Sequence, residues 1–184
     1  TTISIAPIPQ NPQLPAFSTS PQTSVDADGN FTLPGIRPGR YILRASGPGT
    51  LKSAMWNGQD TLDVGLEVTA DTDVSGVELT MTDRPSTLSG TITNADGKPA
   101  MDTTIVVAPT NSGLWRNGSR RIATTRPTTD GRYVIRGLPA GEYSLAAVTD
   151  IETGEQFDPE FLRALVGASV TVTITDGGTT TQGL

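Results

Sequence analysis

The 184-residue sequence contains no cysteine and no histidine, and those two absences remove a large share of protein chemistry. Without them there is no Ser-His-Asp or Cys-His nucleophile, no thiolate, no disulfide and no zinc site of His and Cys ligands. Lysine is scarce as well. Lys52 and Lys98 are the whole supply, and Lys and Arg number 13 against 19 Asp and Glu, a formal charge of -6. A nucleic-acid surface needs clustered cations, so nucleic acid is not an expected partner, and neither is an anionic membrane surface. No apolar run reaches the roughly 18 residues that a membrane-spanning helix requires. The opening residues, "TTISIAP", are neither a charged and apolar leader nor a Met start, so the sequence reads as a processed or cut-down piece. Lack of cysteine fits a secreted or bacterial envelope protein whose domains bury a core without staples.

Glycine and proline are plentiful, at 20 and 14 residues, and they fall in a pattern. "ADGNFTLPGIRPGRYILRA" (27–45) is rewritten as "TDGRYVIRGLPAGEYSLAA" (129–147), a shift of 102 residues. Under that shift Asp28, Gly29, Gly35, Gly39, Tyr41, Leu43 and Ala45 fall on Asp130, Gly131, Gly137, Gly141, Tyr143, Leu145 and Ala147 without a gap, and Thr1, Thr2, Ile3, Ala6 and Pro7 fall on Thr103, Thr104, Ile105, Ala108 and Pro109. Asp-Gly supplies a turn before alternating apolar positions, Phe31 and Leu33 or Tyr133 and Ile135. A second turn follows, "GIRPG" or "GLPAG", and then a period-2 strand through Tyr41, Leu43 and Ala45 or Tyr143, Leu145 and Ala147. The repeated unit is therefore strand, tight turn, strand.

The rest of the sequence keeps the same character. "TLSGTIT" (87–93) and "TTIVVAP" (103–109) flank the turn "NADGKP", and Val77, Leu79, Met81 and Val170, Val172, Ile174 alternate in two further candidate strands. One helix is expected, at 158–166 in "FDPEFLRALVG", with Asp158 as N-cap, Pro159 at the first helical position, Glu160 in the first turn and Gly167 beyond the end. Many short strands, Gly/Pro/Asp/Asn turns and one short helix predict an all-β chain of two tandem antiparallel Greek-key β-sandwiches. The polar "TDRPST" (82–87) marks the boundary, giving domains at 1–83 and 84–184. The second has a segment, 86–102, with no counterpart in the first. The first domain is therefore expected to be incomplete at its N-terminus, with an unpaired edge filled by upstream residues or by a neighbouring chain.

"LSGTITNADGKP", "TTIVVAP" and "TTDGRYVIRGLPAGEYSLAA" together resemble the carboxypeptidase regulatory-like domain of the transthyretin-like (prealbumin-like) sandwiches. The resemblance covers nearly all of 86–184 and, less completely, 1–83. It implies a sandwich of the immunoglobulin-like sort and an accessory module without catalytic residues of its own. The matching positions are turns and core, so no catalytic set, cofactor or metal is implied.

Candidate contact residues are few. Trp56 in "AMWNGQD" and Trp115 in "GLWRNGS" are the side chains suited to stacking on a sugar ring, and the ordinary alternative for each is packing. Arg116, Arg120, Arg121 and Arg126 form the one basic concentration, fit for an acidic partner or for a solvated hairpin. "VDADGN" (25–30) spaces Asp26, Asp28 and Asn30 like calcium ligands, although the distal Glu is missing and a hairpin turn is the plainer reading. Asp60, Asp63, Asp71 and Asp73 read as solvated loop and strand-edge charges. An intramolecular Lys–Asn crosslink, as in the related Cna B-type surface domains, is not expected, because Lys98 sits in a turn and the last strand, 169–184, contains no Asn. A glycoside hydrolase needs only a carboxylate pair, yet no acidic pair recurs in such a setting. The expected function is a non-catalytic spacer, scaffold or docking piece of a larger secreted or envelope assembly, with protein partners or neighbouring domains. The alternative is a carbohydrate-binding module using Trp115 and Trp56.

Overall fold

The structure is a computed structural model that describes residues 1–8, 20–70 and 73–184. The chain divides into two compact units, Thr1–Asp83 and Arg84–Leu184. The first contains β1 (Thr2–Pro7), β2 (Gln22–Ser24), β3 (Gly39–Ser46), β4 (Thr50–Trp56), β5 (Gln59–Asp60), the short helix α1 (Thr61–Val64), β6 (Leu66–Val68) and β7 (Glu78–Thr82). They form an antiparallel four-stranded sheet, β2-β1-β3-β6, and an antiparallel three-stranded sheet, β5-β4-β7. The second contains β8 (Thr87–Thr91), β9 (Thr104–Pro109), β10 (Ala123–Thr125), β11 (Arg132–Arg136), β12 (Gly141–Val148), the helix α2 (Pro159–Leu165), β13 (Val170–Ile174) and β14 (Thr179–Thr181). Its sheets are β10-β9-β12-β13 and β11-β8-β14, antiparallel except for the parallel pair of β14 with β8. The chain is all-β, as its alternating sequence predicts.

The four-stranded sheets of the two units share their register. Ile3 faces Ala45 and Ile5 faces Leu43 across β1 and β3, and Ile105 faces Ala147 and Val107 faces Leu145 across β9 and β12. All six pairs of the first ladder recur 102 residues later in the second. A one-residue slip would turn every core side chain to the opposite face, so this agreement fixes which residues are internal in both units. β9 is buried at all six positions: Ile105 and Val107 enter the sandwich core with Leu88, Tyr133, Tyr143 and Val172, while Val106 and Ala108 meet Leu162 of α2 on the other face. That two-sided burial explains an uninterrupted apolar run in an antiparallel sheet.

The repeated Gly-x-Tyr has a geometric cause. Gly39 and Gly141 take φ of +157° and +151°, which L side chains rarely adopt, and a Cβ on either would meet the ring of the tyrosine two residues on, tightly at 3.3 Å from Cε2 of Tyr41 and in ordinary contact at 3.7 Å from Cε2 of Tyr143. Each tyrosine thus folds back over the glycine two residues before it. Its hydroxyl then donates to a carbonyl four residues upstream, Tyr41 to Arg37 at 2.9 Å and Tyr143 to Pro139 at 2.6 Å. The turn between the two strands is thereby tied down at its base.

The helix follows its sequence signals, since the Asp158 carboxylate accepts from the Glu160 amide at 2.8 Å and Pro159 opens the first turn. Three local expectations are corrected. Residues 31–33 form no strand, although their counterparts 133–135 lie within β11. The reason is the missing neighbour: β11 is held only by β8, and among the described residues the first unit has no strand equivalent to β8. The stretch 169–184 is two strands, not one, broken by a turn in which the Gly178 amide donates to the Thr175 carbonyl. Finally, α1 was not expected. It is carried by a cap, the Asp60 carboxylate accepting from the Leu62 and Ala54 amides, both at 3.1 Å.

Candidate functional site

The first unit carries an open groove of about 770 Å³ whose lining is mixed, polar and apolar. Its floor is Ile5, Leu43, Leu66 and Val68 from the four-stranded sheet. One wall is 29–36, with Phe31, Leu33 and Ile36, and the other is 73–77, leading into β7. No residue of β4 or β5 lines it. Asp73 is the only charged residue at its edge among the described residues. Phe31, Leu33 and Ile36 remain half-buried, whereas Tyr133, Ile135 and Leu138, their counterparts at a shift of 102, are 2%, 7% and 4% exposed.

Both tryptophans are built into their units. Trp56 packs at the edge of the first core and its indole donates to the Ser75 carbonyl at 3.2 Å. Trp115 packs against the cluster of Val106, Ala108, Ile122 and Leu162, and its indole donates to the Pro109 carbonyl at 2.7 Å. Each ring is half-buried. The arginines share the second unit with Trp115: Arg116, Arg120 and Arg121 are half-buried and Arg126 is exposed. Arg121 donates to the Ala140 carbonyl at 3.1 Å and to the Tyr143 hydroxyl at 3.2 Å, so its guanidinium clamps the repeated turn.

The acidic candidates serve the backbone. Asp26 accepts from the amides of Asp28 at 3.0 Å and Asn30 at 2.8 Å, which closes the turn with the carboxylate turned inward. Asn94 does the same for Asp96 and Lys98 in the turn after β8, both at 3.0 Å. In the second Asp-Gly turn the Asp130 pKa is lowered, chiefly because the Thr128 hydroxyl donates to it, with the Arg132 guanidinium 3.1 Å away contributing less. Asp63 is buried, not solvated as its sequence context predicts, because α1 carries it inside beside Thr61. Asp73 is exposed, and Asp71 lies outside the described residues. No group of three or more acidic, His or Cys side chains able to hold a metal occurs among the described residues. No helix among them is long and apolar enough to cross a membrane.

Sequence reasoning singled out turns and aromatics and passed over the groove. Its 73–77 wall is a Ser-, Gly- and Val-containing stretch without a pattern of its own. The one available signal was the missing counterpart of 86–102.

Residues 87–159 match the family described as the carboxypeptidase regulatory-like domain, a span running from β8 to the start of α2. No curated protein matches the chain. Among solved structures, a Pseudomonas aeruginosa protein described as a candidate carbohydrate-binding protein is similar at 12% identity and a TM-score of 0.34, over 54% of this chain and 87% of that one. A minor pilin of Streptococcus agalactiae is similar at 14% identity and a TM-score of 0.36, over 100% of this chain and 80% of the pilin. A streptococcal ancillary pilin is similar at 13% identity and a TM-score of 0.40, over 81% of this chain and 45% of the pilin.

Proposed function

We propose that this chain is a non-catalytic structural and interaction module of a larger secreted or cell-envelope bacterial protein or complex. It consists of two tandem prealbumin-like sandwiches, and among the described residues the first shows no counterpart of the strand that 86–102 supplies to the second. The carrying observation is the role of the repeated residues. Gly39, Tyr41, Leu43 and their counterparts Gly141, Tyr143 and Leu145 make turns and core. What was kept in both halves is shape. The match of 87–159 to an accessory-domain family supports the same reading.

The carbohydrate reading rests on Trp115, a half-buried ring that Arg116 follows directly in the sequence. Incubation with insoluble cellulose, chitin and peptidoglycan separates the two. The expected result is that the protein stays in solution and releases no soluble sugar or peptide. Retention that survives in Trp115→Phe, which keeps the packing, but is lost in Trp115→Ala would overturn the protein-contact reading. Release of soluble product would overturn the non-catalytic one.

A further inference from the structure

We infer that Asn117 is a site of spontaneous covalent modification: its side-chain amide is displaced by the backbone nitrogen of Gly118, and the loop that carries Trp115 passes to an aspartate or isoaspartate form. The inference concerns Asn117 itself and stands whichever partner the module meets.

Six asparagines occur in the sequence, and only Asn57 and Asn117 are followed by glycine. Glycine matters because the attacking atom is the next residue's backbone nitrogen, and glycine has no side chain to shield it. Asn94 and Asn111 are occupied besides. The Asn94 side-chain oxygen accepts from the amides of Asp96 and Lys98, and that of Asn111 accepts from the Gly113 amide. Asn57 and Asn117 are both exposed, and no hydrogen bond among the described residues engages either carboxamide.

The backbone separates the two. Attack closes a five-membered ring, so the side chain and the next nitrogen must swing to the same side of the Cα–C bond. Asn57 and Gly58 form the two-residue loop between β4 and β5, where Trp56 faces Gln59. Their φ values are +49° and +77°, a type I′ hairpin, and in left-handed backbone the side chain and the next nitrogen lie on opposite sides of that bond. Leaving this conformation would splay the two strands. Asn117 lies in another kind of turn. The Ser119 amide donates to the Arg116 carbonyl at 3.1 Å, and Gly118 has φ +70° while Asn117 does not share the positive φ, as in a type II turn. Glycine takes negative φ as readily, so the Asn117–Gly118 peptide can rotate without moving a strand. A methyl on Gly118 would meet nothing within 4 Å, so the ring has room to form.

The Gly118 nitrogen gives its proton to hydroxide and bonds to Cγ of Asn117, and the side-chain nitrogen takes a proton from water and leaves as ammonia. Water then opens one of the two carbonyls of the cyclic imide. One water is consumed and one ammonia released, with no oxidant or reductant. Opening at Cγ gives a carboxylate on an ordinary backbone, and opening at the backbone carbonyl routes the chain through the side chain, one methylene longer. Either product adds a negative charge directly after Arg116. The longer backbone also displaces Ser119 and Ile122, which are 7% and 6% exposed, and Ile122 belongs to the cluster on which Trp115 packs.

The test incubates the full chain in warm, mildly alkaline buffer, folded and in urea, and maps its peptides by mass spectrometry with an isoaspartyl methyltransferase label. In the folded chain, conversion at Asn117 is expected to be at least about tenfold faster than at Asn57, and urea should bring the two rates together. Asn117→Gln, which would have to close a larger and slower ring, should remove the acidic species seen on charge-separating chromatography and leave Asn57 as it was. No conversion of Asn117 in the folded chain overturns the inference, as do comparable rates at the two sites. So does an acidic species that persists in Asn117→Gln. A ratio that survives in urea overturns the assignment to the turns, since neighbouring side chains would then set the rates.

Discussion

Gly90→Ala is expected to unfold the second unit at room temperature or bring it close to unfolding. The residue sits in the central strand of its sheet, and a methyl group there would lie 1.7 Å from the Gln182 carbonyl oxygen and 2.7 Å from the Tyr133 hydroxyl. Those two groups are hydrogen-bonded to each other across the glycine, and burial raises the Tyr133 pKa above its ordinary 10.0, so the phenol is held neutral. Neither can retreat without breaking that bond or moving the last strand. The cost is on the order of 4 kcal/mol, a fall in midpoint of roughly 15–30 °C for a unit of this size. Gly118→Ala is the control. Gly118 has φ +70° and nothing within 4 Å of the added methyl, so only left-handed strain remains, about 1 kcal/mol. Urea unfolding followed by residue-resolved exchange distinguishes them. Equal losses for the two variants would mean that the glycine marks a turn preference and not a crossing point.

Tyr143→Ala should cost about 3–5 kcal/mol, because the side chain is fully buried and its removal opens a cavity that the surrounding core fills only in part. Tyr143→Phe isolates the hydroxyl and should cost about 1–2 kcal/mol, since the Pro139 carbonyl and the Arg121 guanidinium both lose a partner. The counterpart Tyr41→Phe should cost less than about 1 kcal/mol. Tyr41 makes the same bond to Arg37, but it is half-exposed and water replaces what is lost. Chemical denaturation of all three variants gives the ranking. If Tyr41→Phe proved as costly as Tyr143→Phe, the first unit would be as fully covered as the second.

The difference between those tyrosines shows how far the sequence could be read. The apolar run of "TTIVVAP" and the alternation of "EYSLAA" sufficed to place β9 and β12, because each strand has both neighbours within its own unit. The same alternation at Phe31 and Leu33 pointed to a strand that did not form, since alternation reports a face to be buried and cannot supply the strand that buries it. Asp158-Pro159-Glu160 announced α2 through local chemistry alone. The four-residue α1 escaped because it is too short to have a period and rests on one carboxylate. The tryptophans were legible as unusual side chains. Their indole bonds to Ser75 and Pro109 were not, because both acceptors are backbone atoms brought near by the fold.

The parallel pairing of β14 with β8, Thr179 beside Thr87 and Thr181 beside Ser89, has a mechanical side. These are the first and last strands of their unit and they run the same way. Tension that enters ahead of β8 and leaves beyond β14 therefore slides one strand along the other, loading their cross-links together and not one after another. The first unit ends differently: its final strand meets β4 head to tail. A single-molecule pulling trace is expected to show the second unit yielding at the higher force, which would make it the mechanically stiffer of the two.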